Sequence, residues 1–276
     1  MANIKKRTFL FISALFAVLP VWAVAPGRIS ARQRADFRGV NYAHRGLHTP
    51  DKSVPENSLS AFRRAAREGY GIELDVQLSR DGKVVVFHDD TLDRVCGMHA
   101  RVDELTWEQL SQLRLCKTEE RIPLFSDVLQ NIRGCEAVIV ELKNGRKNRE
   151  LCEKTLELLN TYHGNICIES FNPLIVMWFR FHAPGLVRGQ LATTMKDYTE
   201  DGIGSLKAFL LHTTLLNFLS RPQFVAYRIG YRPLLVQLCT ALGALNIGWT
   251  SHETRNENGR DAVIFEFYHP KQRYLK

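Results

Sequence analysis

Residues 71 to 90 read Gly71-Ile72-Glu73-Leu74-Asp75-Val76-Gln77-Leu78-Ser79-Arg80-Asp81-Gly82-Lys83-Val84-Val85-Val86-Phe87-His88-Asp89-Asp90. Two apolar runs flank a polar quartet, which predicts strands over Gly71–Gln77 and Val84–Phe87. The quartet Ser79 to Gly82 has no room for a helix, so the pair forms an antiparallel hairpin turning at Asp81-Gly82. Asp75 lies six residues before Asp81 and His88 seven after it, so the hairpin carries His88 back to the level of Asp75. Glu73 and Asp75 stand two apart on a strand and point the same way. Inward carboxylates are costly unless their charge is compensated, and a hard divalent cation with oxygen ligands does this.

Working outward, short apolar runs alternate with helical patterns. Candidate strands are Gly39–Ala43, Gly71–Gln77, Ala137–Leu142, Ile166–Glu169, Leu186–Leu191, Phe224–Ala226, Ile247–Thr250 and Ala262–Phe267. They are continuous rather than alternating, as strands buried on both faces should be. Helices are expected over Ser58–Glu68, with Asn57 as N-cap and Gly69 ending it, and over Glu150–Tyr162. Eight strands separated by helices predict an α/β fold, a (β/α)8 TIM-type barrel. The ring closes without Val84–Phe87, and residues 89 to 121 form a small insertion above the barrel mouth, with a helical piece at Trp107–Leu113.

Two further polar clusters adjoin the carboxylates: Ala43-His44-Arg45-Gly46 at one strand end and Glu141-Leu142-Lys143 at another. Glu141 completes a three-carboxylate cage with Glu73 and Asp75. An oxygen-only site suits one Ca²⁺ or Mg²⁺ ion. His44 and His88 can serve as acid and base for phosphodiester cleavage. Arg45 can fork onto two phosphate oxygens, and Lys143 adds a point charge. Each residue alone also has a bland reading: a solvated carboxylate, a structural histidine, a surface cation. Their co-occurrence favours one site.

These clusters, with Pro55-Glu56-Asn57-Ser58, Ala61-Phe62, Ser79-Arg80-Asp81-Gly82 and Phe87-His88-Asp89, resemble the glycerophosphodiester phosphodiesterase family. The resemblance runs from Asn41 to Trp249 and is densest before Asp93. It implies metal-dependent hydrolysis of glycerophosphodiesters to sn-glycerol 3-phosphate and an alcohol. It also implies a path in which a glycerol hydroxyl attacks first and the cyclic phosphate is then opened by water. Ser170-Phe171-Asn172-Pro173 resembles the family's Ser-Phe motif, so Phe171 and Trp249 are candidates for the glycerol pocket, or for packing at the barrel mouth. The chain departs from the family after Trp249-Thr250, where only a short polar stretch precedes the last strand. Two alternatives remain. One is a related enzyme acting on lysophospholipids or phosphatidylinositol-type head groups. The other is a non-catalytic, membrane-tethered binding module.

The net charge of +8 is concentrated near the start: residues 1 to 40 carry seven basic residues against Asp36. That excludes the spread basic face of a nucleic-acid binder. Lys5-Lys6-Arg7 precede an uncharged run, Thr8 to Ala25, of 18 residues. At about 1.5 Å per residue it nearly spans a hydrocarbon core of about 30 Å. The domain reading is therefore residues 1–38 as membrane anchor and basic linker, and 39–276 as barrel. A signal peptide leaving at Ala23-Val24-Ala25 is the rival, with secretion as its consequence. Pro26 and the length of the run favour an uncleaved, single-pass anchor, with a buried helix as a third reading. The six cysteines contain no CxxC pair, and Cys167 reads as a buried thiol. A second apolar stretch, Leu206 to Leu219, reads as an outer barrel helix or as a surface that rests on lipid.

Overall fold

The computed structural model describes residues 18–132 and 137–275. Nine strands lie in one sheet: β1 (Asn41–Ala43), β2 (Gly71–Leu78), β3 (Val84–Val86), β4 (Val138–Leu142), β5 (Ile166–Ser170), β6 (Val187–Ala192), β7 (Phe224–Arg228), β8 (Leu245–Ser251) and β9 (Ala262–Phe265). The order β1-β9-β8-β7-β6-β5-β4-β2 closes through a β1–β2 pairing, so eight strands form a ring. Every ring pair is parallel. Helices cross over between strands, which makes the fold a (β/α)8 barrel. β3 stands outside the ring, antiparallel to β2, with Val76 opposite Val86 and Leu78 opposite Val84. The hairpin expected from Asp81-Gly82 is therefore present, and Gly82 takes the positive φ of 74° that its turn requires.

The two-residue period of the strands sorts their side chains. Ile72, Leu74, Val76, Val140 and Ile168 face the helices in one cluster. Tyr42, Ile139, Val187, Phe224, Ile247 and Ile264 fill the barrel interior in another. Gly189 is paired with Phe224 across β6 and β7. A Cβ on Gly189 would stand 1.9 Å from the Phe224 ring, so the glycine is the space in which that ring lies.

Three local features differ from the sequence reading. The helix Leu59–Arg67 is capped by Ser58, whose side chain accepts from the Ala61 N–H, and not by Asn57. Asn57 instead turns with a φ of 53° into the barrel mouth. Arg28 to Arg38 is not a loose linker. Ser30 and Gln33 form a capping box that starts the helix Ala31–Phe37, and Phe37 enters the interior cluster. The Ser-x-x-Gln spacing supplies the physical reason. The stretch Leu206 to Leu219 splits into the helices Ser205–His212 and Asn217–Ser220.

The insertion has its own small core around Val85, Leu92, Val102, Leu110, Leu115 and Ile122. The helical piece expected at Trp107–Leu113 is the single turn Trp107–Leu110, and a second short helix, Asp93–Cys96, precedes it. Only a 3-10 turn, Thr254–Glu257, lies between β8 and β9, which is the shortening read from the sequence. Residues 18 to 24 are helical. Val24 is buried against Val225 and Tyr227, and Trp22 stacks on Phe218 at 5.2 Å. No described helix is long and apolar enough to cross a membrane. Residues 8–17 of the expected anchor lie outside the described residues. Cys96, Cys116, Cys152, Cys167 and Cys239 are free thiols.

Candidate active site

The inward period of each strand continues past the apolar interior to the C-terminal rim, where side chains become polar. Two residues beyond Tyr42 comes His44, and two beyond Ile139 comes Glu141. Glu169 follows Cys167, and Glu266 follows Ile264. The rim encloses a cavity of about 290 Å³ lined by His44, Arg45, Glu73, His88, Glu141 and Glu169, with Phe171 and Trp249 on one wall. Active sites of this fold sit at that end.

Glu73, Asp75 and Glu141 are 2%, 0% and 6% exposed. They come from the neighbouring strands β2 and β4, with Asp75 directly opposite Glu141. One oxygen from each lies within 4.8 Å of the others. Burial and the adjacent Asp75 and Glu141 carboxylates hold Glu73 well above the ordinary carboxylate range. Burial likewise raises Glu141 against the pull of Lys143. Burial opposes charge on Asp75 too, but His88, Lys143 and Arg45 outweigh it and keep Asp75 low. Asp75 Oδ1 has no hydrogen-bond partner among the described residues, while Oδ2 accepts from Asn57 Nδ2 at 2.8 Å. Three crowded carboxylates, with an Asp75 oxygen that takes no hydrogen bond and has only the Lys143 ammonium near it, fit a hard divalent cation. Asn57, expected from sequence as the helix cap, thus orients an oxygen of Asp75 instead.

Two histidines flank this cage. His44 Nδ1 lies 2.5 Å from Glu266 Oε1, and His44 Nε2 lies 3.9 Å from Glu73. The hydrogen bond from His44 and the nearby His48 ring, 3.5 Å away, outweigh burial and hold Glu266 low. A carboxylate only accepts, so the proton sits on Nδ1 and Nε2 faces the cage. Burial and the charge of Arg45 lower the His44 pKa against the pull of Glu266 and Asp75. His88 Nδ1 is held by Asp89 Oδ1 at 2.6 Å. The ladder places His88 where the hairpin count put it, since the Phe87 N–H donates to Asp75 O.

Two cations pair with the carboxylates. Lys143 Nζ is 2.8 Å from Glu141 and 3.4 Å from Asp75. These carboxylates outweigh burial and raise its pKa. Arg45 donates from NH1 to Glu56 at 2.7 Å, and its Nε lies 3.6 Å from Asp75. Arg94, from the insertion, clasps Glu56 and Asp89 together through four hydrogen bonds of 2.6–2.9 Å. Glu56 is held down at about 2, because Arg94 and Arg45 outweigh its burial.

Phe171 meets Trp249 edge-on at 5.7 Å, and Trp249 Nε1 donates to Ala192 O at 3.1 Å. Both rings also line an outer cleft of about 710 Å³ with Tyr198 and His252. All nine residues assigned from sequence are therefore brought to one rim. Sequence reasoning missed Glu266, Glu169 and Arg94, and gave Asp89 no role. The inward period could have found Glu169 and Glu266. Nothing in the local sequence marks Arg94.

The glycerophosphoryl diester phosphodiesterase family model matches residues 44–267. A glycerophosphodiester phosphodiesterase of Caldanaerobacter subterraneus subsp. tengcongensis is 35% identical over 160 residues, covering 54% of this chain and 65% of that protein, so the match spans just under two thirds of the relative. The solved structure of an Oleispira antarctica phosphodiesterase in complex with the product sn-glycerol-3-phosphate is similar, with a TM-score of 0.68, 22% identity and coverage of 84% of this chain and 94% of that one. A Thermotoga maritima glycerophosphodiester phosphodiesterase superposes with a TM-score of 0.60 at 26% identity, covering 82% of this chain and 93% of that chain. With the barrel, the rim and a family match over most of its length, the chain belongs to the glycerophosphoryl diester phosphodiesterase family.

Proposed function

We propose that this protein hydrolyses glycerophosphodiesters to sn-glycerol 3-phosphate and an alcohol, with a divalent cation held by Glu73, Asp75 and Glu141. The observation that carries the reading is the cage of three buried carboxylates with His44, His88, Arg45 and Lys143 beside it. A bound Ca²⁺ or Mg²⁺ would supply Lewis-acid polarisation of a phosphate oxygen. Arg45 and Lys143 offset the charge that grows on the phosphoryl oxygens. One histidine takes the proton of the attacking hydroxyl as the new P–O bond forms. The other gives a proton to the departing alkoxide as the old P–O bond breaks, and in a second step, with the two roles exchanged, water adds to the cyclic phosphate and its ring P–O bond opens to give glycerol 3-phosphate. Glu266 and Asp89 hold the two rings in the tautomer these transfers need. Phe171 and Trp249 offer an apolar wall to the carbon chain of glycerol.

The N-terminal apolar run belongs to the same proposal as a membrane tether. Its described end exposes Val18, Leu19, Val21 and Trp22, and the second apolar stretch exposes Leu206 and Phe209. Release of glycerol 3-phosphate from glycerophosphocholine and glycerophosphoethanolamine tests the enzymatic reading. Chelation should abolish it and Ca²⁺ or Mg²⁺ should restore it. Full activity after exhaustive chelation would sink the metal assignment.

A further inference from the structure

Glu169 is the buried carboxylate that the mechanism above does not use. It is 1% exposed and lies opposite Glu141, one strand further round the ring. It stands outside the Glu73, Asp75 and Glu141 group whose oxygens share one 4.8 Å neighbourhood. Its Oε2 has no hydrogen-bond partner among the described residues. It nevertheless lines the catalytic cavity, on the side where Phe171, Leu191 and Trp249 replace the charged residues. A buried carboxylate oxygen without a hydrogen bond costs stability. The fold offers little return for it: the opposite position is the like-charged Glu141, and the cavity wall beside it, Phe171, Leu191 and Trp249, is apolar. Such a group is explained by a polar atom that arrives with a ligand.

Resting on the diesterase reading, we infer that Glu169 binds a free hydroxyl of the substrate's glycerol moiety and selects for diesters that carry it. A glycerophosphodiester has two free hydroxyls. With the phosphate at Arg45 and Lys143, and one hydroxyl directed to the carboxylate cage, the terminal hydroxyl falls towards the β5 side. Its methylene then lies against Phe171 and Trp249, and Glu169 is the carboxylate at that wall. An amide at this position can still make the hydrogen bond, and an alkyl chain cannot.

The test compares glycerophosphoethanolamine with 2-hydroxypropyl phosphoethanolamine, which keeps the secondary hydroxyl and lacks the terminal one. The wild-type protein is assayed beside Glu169→Leu and Glu169→Gln, with Ca²⁺ affinity and melting temperature measured for each. Wild type should favour the glycerol diester by about 10–100-fold in kcat/KM, the worth of a hydrogen bond to a charged or buried group. Glu169→Leu should lose that preference by slowing only on the glycerol diester, with Ca²⁺ affinity unchanged. Glu169→Gln should keep most of it. Equal loss on both diesters, or a fall in Ca²⁺ affinity, would overturn the assignment of Glu169 while leaving the diesterase reading intact. A wild-type protein that cleaves neither diester with Ca²⁺ or Mg²⁺ present would overturn both.

Discussion

His44 and His88 do not act as bare imidazoles, because each carries its own carboxylate, Glu266 and Asp89. Replacing either histidine by Ala should lower kcat by roughly 10²–10⁴-fold, the usual worth of general acid–base catalysis. The melting temperature should hardly change, since both rings sit at the rim; an unaltered kcat in His88→Ala would remove its assigned role. Asn57 presents a different case. Its backbone is left-handed at a φ of 53°, and its amide fixes Asp75. Asn57→Gly keeps that conformation accessible and deletes only the amide. It should weaken Ca²⁺ affinity by about 10–100-fold, the range for groups that orient a ligand. Calorimetric titration of the cation would show this, and an unchanged affinity would make Asn57 a turn residue alone.

At the level of strands, the sequence was most readable where one element carried its own explanation. Glu73 and Asp75 sit two apart on a strand, and the turn count placed His88 beside them. Glu141 and Lys143 repeat that spacing on β4. Glu169 and Glu266 follow the same period, but each stands alone at the end of an apolar run, so that period was their one signal and no second polar residue reinforced it. Arg94 lies on a surface helix turn, and only tertiary structure brings it to Glu56. The helix cap was misplaced because Asn and Ser are both good N-caps and stood side by side at 57 and 58. Interior packing was equally hidden, since a lone glycine in a strand does not announce which ring it accommodates. Gly189→Ala should put a methyl group into the Phe224 ring and destabilise by about 1–3 kcal/mol, as overpacked cores do. A thermal unfolding curve indistinguishable from wild type would mean that the β6–β7 layer yields freely.

Across the whole molecule, the N-terminal segment is partly barrel. Val24 is fully buried, Arg221 donates to the carbonyls of Trp22 and Ala25, and Phe37 enters the barrel interior. A chain beginning at Asp36 should therefore lose about 1.5–3 kcal/mol from Val24 alone. Losing the Ser30 cap adds about 1 kcal/mol. It should melt several degrees below a chain beginning at Val18, and equal melting temperatures would show the segment to be dispensable. The full-length protein should sediment with membranes and resist a high-salt wash. Recovery in solution, shortened at Ala25, would instead mark the apolar run as a cleaved signal. The ring of eight strands closes without β3, and this has an evolutionary consequence. His44 is mounted on the closed frame, whereas His88 rides on an outrigger pinned by Lys154 at Gly82 O and latched by Arg94. Changes in the insertion can thus reset the gap between His44 and His88 without repacking the frame, so a lineage can adjust that gap at one joint.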